Sequence, residues 1–165
     1  MVTRWAKIAL IFAVAFFYSI VVFNNITDYL SNYEFVHHVL LMDSTFPNNH
    51  GMWRAVHPSW VYHAFYVSII AWETATTVLC WWGGVRLVMT AKQSPDDFNV
   101  AKRIAAAALT MSLLMWLVAF LSVGGEWFLM WQSKAWNGQE AAFRMFTVVG
   151  VVLIFLTRPD THAQP

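Results

Sequence analysis

The sequence predicts an all-α membrane protein, an antiparallel four-helix transmembrane bundle with an outer capping loop that contains a short amphipathic helix. Three observations carry this reading. Hydrophobic residues make up 59% of the 165 positions and charged residues only 12%, whereas a soluble domain is about half apolar and about a quarter charged. Four apolar stretches are each long enough, at about 1.5 Å of rise per residue, to cross a hydrocarbon core of about 30 Å, the fourth only just. Lysine and arginine fall unevenly between the connecting segments. Hydrocarbon offers the backbone no external partner, and no barrel-like alternation is present, so the spans are helices.

Taken in order, the spans cover about residues 5–23, 60–85, 104–127 and 142–157 of a single domain. The first follows Arg4 and Lys7. A basic start before an apolar run also describes a signal peptide, but this run is too long and too aromatic, and no small-x-small cleavage site follows it. Residues 24–59 form a long loop. Within it Phe35, Val36, Val39 and Leu40 recur at helical spacing among Glu34, His37, His38 and Asp43; that pattern suits a short helix on the membrane or capping the bundle. Pro47-Asn48-Asn49-His50-Gly51 reads as a turn, and His57-Pro58-Ser59 leads into the second span. That helix continues past Gly83-Gly84. Ser94-Pro95-Asp96-Asp97 is a helix start.

With a cytoplasmic N-terminus, the inner side holds Arg4, Lys7, Arg86, Lys92, Lys102, Arg103 and Arg158, and the outer side Arg54, Lys134 and Arg144. Seven against three places both termini inside. Trp60, Trp127, Trp131 and Trp136 then mark the outer interface, and Trp5, Trp81 and Trp82 the inner one. A formal net charge of +1 supplies no basic patch for nucleic acid. The single Cys80 excludes a disulfide framework and a thiolate zinc cluster, and reads as a small structural residue.

Several segments are familiar as a set. Asn24-Asn25-Ile26-Thr27-Asp28-Tyr29, Phe35-Val36-His37-His38-Val39-Leu40-Leu41-Met42-Asp43 and Met52-Trp53-Arg54-Ala55 lie in the first loop. Gly124-Gly125-Glu126-Trp127-Phe128-Leu129-Met130-Trp131-Gln132-Ser133, and Trp136-Asn137-Gly138-Gln139 through Phe143-Arg144, follow later. Together they resemble a bacterial family of predicted small integral membrane proteins, domain of unknown function 2165, over nearly the whole chain. The resemblance implies a four-helix inner-membrane protein and supplies no activity. The family pattern more usually has a basic residue where His37 stands. Asn25-Ile26-Thr27 also fits a glycosylation pattern, which carries no meaning in a bacterial membrane.

Ionisable residues inside a bilayer are expensive, so each is a functional candidate. Glu73 is the deepest, about two residues or roughly 3 Å from the middle of its span. It is expected to be a neutral acid satisfied by Thr77, Thr110 or Ser112, with a proton-relay or cation site as the functional alternative. Gly150 would allow a close helix approach beside it. His63, Glu126 and Arg144 fall at depths of roughly 12, 15 and 9 Å, close enough for one polar layer in which Glu126 pairs with Arg144. Asp28, His38, Asp43, Trp53 and Arg54 are the outer-loop candidates. No metal site is expected, because no pair has a recognised ligand spacing and His37-His38 point to different faces of a helix.

Three functions remain open. The first is an accessory or assembly subunit with no catalytic activity and no cofactor, embedded in the lipid bilayer and associated with other membrane subunits or as a homo-oligomer. The second is a redox anchor, with haem bound through His63 and Met130 or Met145, or quinone bound by Trp116, Tyr66 and His63. The third is a proton- or cation-coupled transporter centred on Glu73.

Overall fold

The computed structural model describes residues 1–161. Helix α1 covers Val2–Thr27, α2 Tyr29–Leu41, α3 Ser59–Thr90, α4 Pro95–Leu114 and α5 Gln139–Thr157. Helix α4 continues without a break into a π-helical segment, Met115–Trp127. Among the described residues four helices are long and apolar enough to cross a membrane: α1, α3, the continuous Pro95–Trp127 helix and α5. No more than 33% of the most apolar window of each is buried inside the protein. Residues such as Phe16, Phe23, Val67, Val78 and Ile154 instead point outward, as lipid-facing side chains do.

Local chemistry explains where the elements begin and end. Ser94 caps α4 by accepting the backbone N–H of Asp97 at 3.1 Å, with Pro95 in the first turn and Asp96 and Asp97 beside the helix's positive end. The chain bends between α1 and α2 at Asp28 (φ −120°, ψ 56°). Helix α2 stops at Met42, whose φ of 57° lies in the left-handed region. It turns Val36, Val39 and Leu40 inward against Tyr62, Tyr66, Phe128 and Met130, as its apolar periodicity predicts.

Contacts along α1 and α3 run in opposite order. The Arg4 guanidinium donates to Ala91 O (3.0 Å), Trp81 Nε1 to Ser19 Oγ (2.9 Å), and Asn25 Nδ2 to Glu73 Oε2 (2.6 Å). The pinch point of the bundle is Gly83-Gly84. A Cβ on Gly83 would lie 2.7 Å from Ala105 N and 2.8 Å from Ala105 Cα, and one on Gly84 would lie 2.7 Å from the Phe12 ring. The pair thus brings α3 against α4 on one side and α1 on the other, as small residues do between membrane helices. The expectation of a close approach at Gly150 is corrected. A Cβ there would meet nothing nearer than Leu113 Cδ2 at 3.9 Å.

These two glycines make opposite predictions. Gly83→Ala pushes a methyl into the backbone of α4 and should destabilise the bundle by about 1–3 kcal/mol, as overpacking does. Gly150→Ala should stay within about 0.5 kcal/mol of wild type. Thermal unfolding of the two variants in detergent decides the point, and equal melting temperatures would rule out the pinch.

Candidate functional site

The polar groups of the interior are organised around Glu73. Its side chain lies on α3 and is 3% exposed. Asn25, near the end of α1, donates from Nδ2 to Glu73 Oε2 at 2.6 Å, and its own Oδ1 accepts from Asn32 Nδ2 at 2.7 Å. Tyr66, two turns back on the same face of α3, donates its hydroxyl to the Asn25 backbone carbonyl at 3.2 Å. The result is a polar chain running from exposed Asn32 on α2 to a buried carboxyl on α3.

The expectation that hydroxyls satisfy Glu73 is therefore corrected. Thr77 and Thr110 donate to carbonyls one turn back on their own helices, Glu73 O and Ala106 O, both typical uses of threonine in a membrane helix. Ser112 instead pairs with the Tyr18 hydroxyl at 2.5 Å, and Trp116 Nε1 donates to that same hydroxyl at 2.8 Å. An amide outcompetes them because Asn25 presents two donors and an acceptor at once. It can hold Glu73 and Asn32 together.

A second site closes the end that carries both termini. Asp160 accepts Lys7 Nζ at 2.7 Å and Lys102 Nζ at 2.5 Å, with Arg4 Nε at 3.7 Å. Both lysines also donate to Arg158 O at 2.7 Å, covering a carbonyl left free at the end of α5. Asn99 clamps the Asp160 backbone from both sides, with Nδ2 on its carbonyl and Oδ1 on its N–H. Burial pushes the Asp160 carboxyl up, but the Lys102 and Lys7 ammonium groups outweigh it and hold its pKa below the ordinary aspartate value. Sequence reasoning read these cations as membrane-flanking charges only. Arg4, Lys7 and Lys102 are in fact buried, and their spacing carries no hint of a shared carboxylate from the far end of the chain.

The expected outer polar layer does not assemble. Glu126 and Arg144 are both exposed, and no ion pair joins them among the described residues. The π-helical segment accounts for this. Its wider turns advance each residue by a smaller angle than an α-helix, so the position of Glu126 cannot be projected from an α-helical period. Phe128 N donates to Val123 O (2.9 Å) and Ser122 Oγ to Leu117 O (2.9 Å), both five residues back. His63 is exposed, takes a 2.9 Å hydrogen bond with the Tyr29 hydroxyl, and stacks on Tyr33 with ring centroids 4.3 Å apart. Tyr66 and His63 both contact the Tyr29 ring, with centroids 4.7 and 5.9 Å away, whereas Trp116 donates to the Tyr18 hydroxyl.

Of the loop candidates, Asp28 accepts from Ser31 Oγ at 2.7 Å beside the bend. Trp53 and Arg54 form a clasp with the end of the third span. The Arg54 guanidinium lies 5.3 Å from the Trp53 ring centre and 5.0 Å from that of Trp127, and donates to Trp127 O at 3.1 Å. His38 and Asp43 are joined, Nδ1 to Oδ2, at 2.6 Å. Trp136 stacks on His38, with ring centroids 4.5 Å apart. The statement that His37 and His38 face apart is also corrected. Their ring centroids are 5.1 Å apart, and both approach Glu34 because helical side chains lean back towards the preceding turn.

A family model described as Predicted small integral membrane protein (DUF2165) matches residues 3–159. No curated protein and no solved structure matches the chain.

If Asn25 is the partner that fixes Glu73, the two are energetically coupled. Asn25→Leu and Glu73→Leu should show a coupling of about 0.6–1.7 kcal/mol in a double-mutant cycle, the range of hydrogen bonds between membrane helices. Glu73→Gln keeps a carbonyl for the Asn25 amide and should unfold close to wild type. Additive losses in the cycle would show that the contact holds nothing together.

Proposed function

We propose that this chain, which belongs to the DUF2165 family of predicted small integral membrane proteins, serves as a non-catalytic accessory subunit of a larger membrane complex. One observation carries the reading. A concave apolar groove of about 410 Å³ opens on the lipid-facing side between α3 and the start of the π-helical segment. Phe65, Ser68, Ile69 and Trp72 form one wall, and Leu114, Met115, Val118 and Ala119 the other. Ser68 and Ala119 are small enough to let a partner helix backbone approach closely, which is how helices associate in lipid. The Trp72 indole is anchored to Met111 O at 3.0 Å, so the groove has a fixed edge.

The interior chemistry supports the same reading. Glu73, Tyr18, Ser112 and Trp116 are engaged with one another or with Asn25, and Lys7 and Lys102 with Asp160. Such mutual satisfaction suits a scaffold more than a reaction centre, where a group must be left free to act. For orientation, the proposal places the bundle in the bacterial inner membrane with both termini cytoplasmic. The seven-to-three distribution of Lys and Arg supports it.

Orientation is read by single-cysteine labelling in intact cells in a Cys80→Ser background. Asn49→Cys should react with an impermeant reagent and Gln93→Cys should not; external labelling at Gln93 overturns the orientation. The subunit reading is tested with a photoreactive residue at Val118 in native membranes. A single protein adduct is expected, and Ser68→Trp, which fills the groove from an exposed position, should abolish it. Crosslinking to lipid alone, or elution of the chain by itself from mild detergent, would sink the reading.

A further inference from the structure

The end of the bundle away from the termini carries a histidine–carboxylate cluster that the interior network does not use. Glu34, His37 and His38 stand on α2 at i, i+3 and i+4, which places them on neighbouring turns of one helix side. Glu34 Oε2 is 3.3 Å from His37 Nδ1 and 3.7 Å from His38 Nε2. One ligand atom from each residue falls within 4.8 Å of the other two. A tetrahedral ion with bonds of about 2.1 Å holds its ligand atoms about 3.4 Å apart. The donors therefore need only small rotations to close around one ion.

A second observation distinguishes this cluster from a chance meeting of surface charges. His38 is held on its other edge, with Nδ1 2.6 Å from Asp43 Oδ2 and its ring stacked on Trp136 at an interplanar angle of 11°. With the ring proton on Nδ1, shared with Asp43, the Nε2 lone pair is left free 3.7 Å from Glu34 Oε2. That is the arrangement in which a carboxylate orients a metal-bound histidine and strengthens it as a donor. His37 packs against Tyr62, with ring centroids 4.7 Å apart. The three side chains are only part-covered, at 47% exposure for Glu34, 29% for His37 and 28% for His38. A fourth coordination position therefore faces solvent.

We propose that Glu34, His37 and His38 form a binding site for a divalent first-row transition metal of the zinc class, with Asp43 orienting His38. Two imidazoles and one carboxylate suit zinc, and would bind copper(II) more tightly still. They offer little to magnesium or calcium, which take oxygen ligands.

The test uses the full-length chain in detergent, with its purification tag removed, stripped by a chelator and titrated with Zn²⁺ against a chromophoric competitor. One zinc per chain is expected, and Co²⁺ in its place should give the visible spectrum of a tetrahedral ion. Asp43→Asn should weaken binding roughly 10–100-fold, and Glu34→Gln and His38→Ala by at least as much. His57→Ala, outside the cluster, should change nothing. Glu34→Gln alters a part-exposed side chain, so its helicity should match wild type by circular dichroism and keep the comparison valid. Non-saturating binding, or wild-type affinity in both Glu34→Gln and His38→Ala, would reduce the cluster to a histidine–carboxylate ion pair and overturn the proposal. The measurement needs no partner, so it stands or fails separately from the subunit reading.

Discussion

The hydrogen bond from Asn25 to Glu73 sets the frame for this bundle, because a carboxyl surrounded by hydrocarbon has no water to fall back on. Satisfying it fixes the level at which α1 meets α3, and the other contacts between the two helices agree with that register. Toward the termini, Ser19 meets Trp81 and Arg4 reaches the carbonyl of Ala91. In the opposite direction, just past the end of α1, the Tyr29 hydroxyl at the start of α2 reaches His63. The same amide then accepts from Asn32, so the registration of two spanning helices also seats α2 over their ends. A shift of one residue along α1 would carry Asn25 to another side of its helix and strand the carboxyl. Register and burial are one constraint here.

The third span answers to two different demands along its length. Where α4 passes Gly83, a backbone-to-backbone approach leaves no room for a side chain. Beyond Leu114 the helix widens, and the groove lined by Met115, Val118 and Ala119 opens beside the transition. Close packing and loose packing thus sit on the same face pair of α3, about half a span apart. The tight part is a property of the fold. The wide part gives up intramolecular packing in a place where lipid or another helix must supply it.

The spans were legible because composition alone separates a membrane helix from its loops, and Ser94, Pro58 and the apolar rhythm of α2 mark their own boundaries. The polar partnerships were not. Asn25 stands in a tripeptide that looks like a modification motif, with nothing to connect it to a glutamate 48 residues on. Glu126 and Arg144 matched in depth, but depth is one coordinate of two. The angular position depends on turn width, which the segment Met115–Trp127 changes without any proline to announce it. Lys7 and Lys102 carry a charge pattern that speaks only of a helix end, and Asp160 lies in a tail that carries no periodicity at all. The position of a residue along a helix is legible in the sequence, its azimuth is not where turn width changes, and pairings that need both are missed there.

The two ends of the bundle show how the same residue types come to opposite uses. At the terminal end, two lysines and an arginine converge on one carboxylate, and carbonyls at the ends of α3 and α5 take up the remaining donors. Those three cations are committed, and the effect is a seal that ties the first, third and last spans together. At the opposite end, carboxylates outnumber fixed cations around α2, and histidines stand where lysine or arginine would complete an ion pair. A histidine holds its lone pair available at neutral pH, which lysine and arginine do not. The seal therefore has no coordination chemistry left in it, whereas Glu34, His37 and His38 do. Their side chains are also part-exposed, on a helix that spans nothing. The chain keeps its rigid chemistry inside the bundle and its available chemistry on the cap.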